Sequence, residues 1–128
     1  NSKNIKKLEN NLLLIYTGIS RTADKVASTY ASKLSNSKKE YIIKICEHVS
    51  EGEKLLRAGK IDEFGKLLNN AWYLKKKLSS SISNSKIDQL YNLALRYGAL
   101  GGKLLGAGGW RISFTLHAPQ IQKKVFRE

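Results

Sequence analysis

Gly98-Ala99-Leu100-Gly101-Gly102-Lys103-Leu104-Leu105-Gly106-Ala107-Gly108-Gly109, followed by Trp110-Arg111-Ile112-Ser113-Phe114-Thr115-Leu116-His117, is where the pattern of this 128-residue chain changes. Upstream of it, apolar residues recur at helical spacing. Five glycines then fall between Ala99 and Gly109, and Ile112, Phe114 and Leu116 alternate with Arg111, Ser113, Thr115 and His117. Alternation with period two marks a half-buried strand. The reading is a glycine loop that opens onto a strand.

Working back from that loop, Ile87, Leu90, Tyr91, Ala94 and Tyr97 form a helical stripe closed by Gly98, with Ser85 and Asp88 as its capping pair. A preceding helix begins near Asp62 and carries Ile61, Phe64, Leu67, Leu68, Ala71, Trp72 and Leu78 on one face. It ends at Ser79-Ser80-Ser81. Trp72 and Tyr91 read as core aromatics. Before it, Ser37 and Glu40 have capping-box spacing and open a helix that buries Ile42, Ile45, Cys46, Val49 and Leu56 and stops near Gly59. Cys46 reads as a packed, inert thiol, and His48 as solvated. Ser20 or Thr22 caps a further helix with Ala23, Val26, Ala27, Tyr30 and Leu34 on one face. Leu12-Leu13-Leu14-Ile15-Tyr16, ended by Thr17-Gly18, is short enough for a buried strand. Residues 1–7 read as a frayed polar end. Pro119 opens a last helical stretch to Arg127. The order is strand, four helices, glycine loop, strand, helix. It predicts an α+β fold with helices on one face of a small antiparallel sheet.

Composition sets the outer bounds. A 41% hydrophobic content supports a core within one domain. One cysteine and two histidines exclude a disulfide framework and argue against a zinc site, so no metal ligands are assigned. No run is apolar enough to span a bilayer and no signal-peptide pattern is present, so the expected setting is cytoplasmic. The net charge is +13, and residues 64–127 carry 11 basic residues against one acid, Asp88. Such a field favours an anionic partner. It is equally the charge of a lysine-rich solvated surface, since 18 of the 23 bases are lysine.

Glycines let a ligand approach the main chain, and successive N–H groups can face one concavity and bind an anion. The segment is not a P-loop, because Lys103 precedes the last glycines and no Lys-Ser/Thr follows them. It is not a dinucleotide fingerprint, because no βαβ unit surrounds it. A tight β-turn or bulge accounts for the same glycines.

The stretch from Gly98 to Gly109 resembles the C-terminal glycine motif of the GHMP kinases, the superfamily of galactokinase, homoserine kinase, mevalonate kinase and phosphomevalonate kinase. Leu13-Leu14-Ile15-Tyr16-Thr17-Gly18-Ile19-Ser20-Arg21-Thr22-Ala23 resembles the first strand and turn of that family's C-terminal domain. Trp72-Tyr73-Leu74-Lys75-Lys76-Lys77-Leu78-Ser79 with Ile82-Ser83-Asn84 is similar to the sugar-kinase branch that includes heptose 7-phosphate kinases. The likeness runs in order over residues 12–109.

The resemblance implies a ferredoxin-like α+β C-terminal domain over residues 1–128 of an ATP- and Mg2+-dependent sugar kinase. The acceptor it implies is a sugar phosphate, with the glycine motif and the turn after the first strand walling the active cleft. On that basis Gly102, Lys103, Gly106, Ala107, Gly108 and Gly109 are assigned to nucleotide phosphate. Thr17, Gly18, Ser20 and Arg21 are assigned to substrate. The turn leads into a helix N-terminus, where free N–H groups and the dipole favour an anion. For Arg21, a bidentate phosphate contact and a surface ion pair weigh equally. The family's Gly-Leu-Gly-Ser-Ser segment and catalytic carboxylate belong to an N-terminal domain, and no Gly-Leu-Gly-Ser-Ser occurs here. The chain, which begins at Asn1, is therefore expected to be part of a longer kinase and inactive alone. The strand that would follow the Pro119 helix is also expected to be missing, which leaves a sheet edge open to homodimer formation.

One departure stands out. The family continues with further glycines, a phenylalanine and an apolar strand, where this chain has Trp110-Arg111-Ile112-Ser113-Phe114-Thr115-Leu116-His117. A coding string for those residues, read one nucleotide later, gives Gly-Gly-Phe-Leu-Leu-Leu-Tyr, which points to a local frameshift over this stretch. The alternative function is a small basic nucleic-acid-binding module. Charge supports it, but no RNA-binding aromatic signature or helix-turn-helix spacing does.

Overall fold

The structure, a computed structural model, describes residues 1–18, 36–105 and 111–116. The expected helices over 20–34 and after Pro119 lie outside the described residues. Element order is α1 (Ser2–Asn10), β1 (Leu12–Tyr16), α2 (Asn36–Arg57), α3 (Ile61–Leu78), a 3-10 turn (Ser80–Ile82), α4 (Ser85–Arg96), β2 (Ala99–Leu105) and β3 (Arg111–Leu116). The three strands form one antiparallel sheet in the order β1-β3-β2. The α+β architecture expected from the sequence is the one observed.

Three expectations about the elements are corrected. First, residues 99–105 are not loop but strand, paired to β3 along their length with a register shift between Ala99 and Gly101. Glycine is a poor strand former, and packing explains its presence. Helix α3 crosses β2 so closely that a Cβ on Gly101 would run into the Gly65 carbonyl oxygen and stand 2.6 Å from Asn69 N. Second, the N-terminal residues are helical rather than frayed. Asn1 caps α1 through its side chain. Asn4 Nδ2 donates to Arg57 O at 2.7 Å, and Lys7 Nζ donates to Gly59 O at 2.7 Å. These donors satisfy carbonyls at the C-terminal end of α2, which otherwise lack partners. Third, helix starts differ. α2 includes Asn36 and Ser37, so Ser37 is not its cap, and Glu40 pairs instead with Lys44 at 2.8 Å. Asn84 rather than Ser85 caps α4, accepting from Ile87 N at 2.9 Å.

The core gathers Leu13, Trp72, Leu78, Ile82, Ile87, Tyr91, Ala94, Ala99 and Leu104. Trp72 and Tyr91 stack with ring centroids 5.5 Å apart, as expected of core aromatics. Alternation along β1 sends Leu13 inward and leaves Leu14 and Tyr16 exposed. Cys46 is exposed, against expectation, and so is Val49 at 71%. Only part of the α2 stripe is therefore covered.

Tyr91 fastens α4 to β2 and α3. Gly102 N donates to its phenol oxygen at 3.0 Å, and the phenol donates to Asn69 Oδ1 at 3.1 Å. Burial pushes its pKa from 10.0 up to about 12, against the opposing pull of the Gly102 backbone. A raised folded-state pKa favours the protonated, folded form. Its contribution is whole below pH 10 and is lost as pH climbs through about 12. Tyr91→Phe leaves the buried Gly102 amide without this acceptor and should cost about 1–3 kcal/mol at neutral pH. Urea denaturation at pH 7 and above pH 10 measures both effects, and the variant should lose less of its remaining stability in alkali.

Candidate active-site wall

The sheet register decides which parts of the expected site come together. Tyr16 is level with Arg111, and Arg111 is level with Leu105. The end of β1, the end of β2 and the start of β3 thus lie abreast. Thr17-Gly18 leaves β1 at this end of the sheet, the end at which Leu105 closes β2 and Arg111 opens β3.

At this end Thr17 is buried, and Gly18 is exposed with φ +67°. Nothing lies within 4 Å of where a Cβ on Gly18 would stand, so the main chain there is open to an approaching group. Ser20, Arg21, Gly106, Ala107, Gly108 and Gly109 lie outside the described residues. Gly102 and Lys103 sit within β2 rather than in a loop. The Gly102 amide is donated to Tyr91, so it serves the fold. Lys103 is exposed and turns toward Lys75 of α3.

The second feature is a groove of about 860 Å3 along the α2–α3 hairpin, walled in part by Ile45, Val49, Phe64, Leu68 and Trp72. Lys75 and Lys103 stand at its β2 end. Burial and the neighbouring Lys103 charge both hold the Lys75 ammonium below the usual lysine range. His48, expected to be solvated, is half-buried in the groove wall. Its Nδ1 and Trp72 Nε1 are buried without hydrogen-bond partners among the described residues. No sequence signal separates His48 from its solvated neighbours on α2. The Lys75–Lys103 pairing depends on where β2 crosses α3. Lys76, by contrast, is engaged: it pairs with Asp88 at 3.2 Å and lies over the Trp72 and Tyr73 rings.

Among the described residues no group of three acidic, histidine or cysteine side chains is placed to hold a metal. No helix among them is long and apolar enough to cross a membrane.

Residues 53–127 match the family described as GHMP kinases C terminal. This chain belongs to that family. The chain is 31% identical over 97% of its length to the bifunctional fucokinase/GDP-fucose pyrophosphorylase of Arabidopsis thaliana, covering 12% of that protein. It is 28% identical over 88% of its length to the D-glycero-alpha-D-manno-heptose 7-phosphate kinase of Campylobacter jejuni, covering 34% of it. A Bacteroides fragilis L-fucokinase/L-fucose-1-P guanylyltransferase is 31% identical over 76% of the chain, which spans 10% of that relative. The crystal structure of a D-glycero-D-manno-heptose 1-phosphate kinase from Bacteriodes thetaiotaomicron superposes with a TM-score of 0.63. It shares 22% identity and is matched over 99% of this chain and 31% of the other, which supports the fold. The chain thus spans about a third or less of the length of these relatives.

Proposed function

We propose that this chain forms one wall of the active cleft of an ATP-dependent sugar kinase, with a heptose phosphate as acceptor. The single observation that supports the reading is the strand register: Tyr16, before the Thr17-Gly18 turn, is level with Arg111, and Arg111 is level with Leu105. Phosphoryl transfer asks a protein mainly for positioning and for compensation of negative charge. The chain's part is to hold phosphate oxygens on main-chain amides of Gly106, Ala107, Gly108 and Gly109, with Lys103 adding positive charge, and to orient the sugar phosphate through Thr17, Gly18, Ser20 and Arg21. The open main chain at Gly18 fits such an approach. ATP, with Mg2+, supplies the phosphoryl group.

The sugar kinases among the relatives support a sugar or sugar phosphate as the acceptor class. A coupled ADP-release assay on the intact polypeptide tests this, using D-glycero-D-manno-heptose 7-phosphate, the free heptose and L-fucose. Turnover with the heptose phosphate supports the reading. Turnover with fucose alone moves the acceptor to the free-sugar class. No ADP release with any sugar, together with salt-sensitive binding to generic nucleic acid, would favour the basic-module reading.

A further inference from the structure

The groove along α2 and α3 has a built polarity. Its walls are aliphatic and aromatic over most of its length, with Ile45, Val49 and Leu56 from α2 facing Phe64, Leu68 and Ala71 from α3. From Ile42 to Leu56 the α2 wall runs for about 21 Å at the helical rise. The volume, about 860 Å3, falls within the range of small-molecule sites.

Charge is unequal at the two ends. At the hairpin end Glu53 and Arg57 neutralise each other at 2.8 Å. At the β2 end Lys75 and Lys103 lie close enough to repel, and neither has an acidic partner among the described residues. Two like charges beside an apolar trough, one of them half-buried, are stabilised by an anion whose body is apolar.

We propose that this groove binds a single-chain acyl anion, its hydrocarbon lying between α2 and α3 and its carboxylate held by Lys75 and Lys103. The length of the α2 wall favours an extended acyl chain over a compact body. The lysine pair at the β2 end fixes the direction in which it lies. Lys103 also serves the proposed phosphate wall, so the inference rests on that reading leaving Lys103 free for the carboxylate; Lys75 and the apolar walls belong to the groove alone.

Isothermal titration of the protein with dodecanoate, dodecanol and dodecyltrimethylammonium, each below its micelle concentration, tests the proposal. Dodecanoate should bind with one-to-one stoichiometry, and the alcohol and the cation at least about tenfold more weakly, the loss expected when a charge-assisted contact goes unmade. Lys75→Gln should weaken dodecanoate by a similar factor. Lys75→Arg should retain binding, and Lys39→Gln, on the exposed face of α2, should leave it unchanged. The wild-type ligand series needs no variant to fold, so it decides the matter alone. Equal affinity for dodecanol and dodecanoate, uptake only by anionic vesicles, or no saturable binding of dodecanoate would overturn the proposal.

Discussion

Alanine at Gly101 should lower folding stability by about 3 kcal/mol, the upper part of the usual cost of overpacking, and the thermal midpoint by roughly 10 °C. The new Cβ would meet backbone, the Gly65 carbonyl oxygen and Asn69 N, rather than a side chain that can swing aside. Relief requires α3 to move off β2, and that would loosen Trp72 from Tyr91 and Asn69 from the Tyr91 hydroxyl. Gly52→Ala is the matched control. Its Cβ would stand 3.4 Å from the Leu67 and Phe64 side chains, and helix propensity favours alanine by up to about 1 kcal/mol. Urea denaturation of both variants should show a large loss for Gly101→Ala and little change or a gain for Gly52→Ala. Equal effects would mean that the α3–β2 approach is not the constraint described here.

The other large effect is expected on catalysis. In the intact polypeptide, Gly108→Val should reduce kcat/KM for ATP by about 10²–10³, the usual loss when a main-chain donor to developing charge is displaced. Valine narrows the backbone choices that glycine allows and adds bulk where phosphate oxygens are proposed to approach. The thermal midpoint should stay within a few degrees of the parent's. An unchanged kcat/KM would remove the glycine connection from the phosphate site. A loss of activity matched by unfolding would make its role structural.

What the sequence disclosed depended on how local the cause was. Leu12–Tyr16 and the bounds of Ile61–Leu78 were legible because an apolar run between turn residues and a serine cluster after a helical stripe act within a few residues. The burial of Trp72 and of Tyr91 followed from the two helical stripes, whereas their stacking came from the tertiary fold. The α1 helix was not legible, because Asn4 and Lys7 gain their partners more than 50 residues away, at the end of α2. The β2 strand was hidden by its own glycines. Their reason is the passage of α3 overhead, and no local pattern records that. Cys46 and Val49 lie on the apolar stripe of α2, yet both are exposed because α3 covers only part of that stripe.

The candidate wall was legible in its residues but not in its assembly. The sequence marked Thr17-Gly18 and the glycine segment separately, and the strand register sets Tyr16, Arg111 and Leu105 level at one end of the sheet. The groove was not legible at all. Lys75 is one of three consecutive lysines, and only the position of Lys103 on β2 distinguishes it from Lys76, which Asp88 neutralises, and from Lys77, which lies over the Tyr41 ring.

Hydrogen exchange of the intact polypeptide, with and without a non-hydrolysable ATP analogue and a heptose phosphate, tests the proposed wall most directly. Slowed exchange should appear together at residues 17–22 and 105–111 when both ligands are present, while the α2–α3 turn at Ala58-Gly59 stays unchanged. Protection confined to one of the two segments, or to neither, would contradict it.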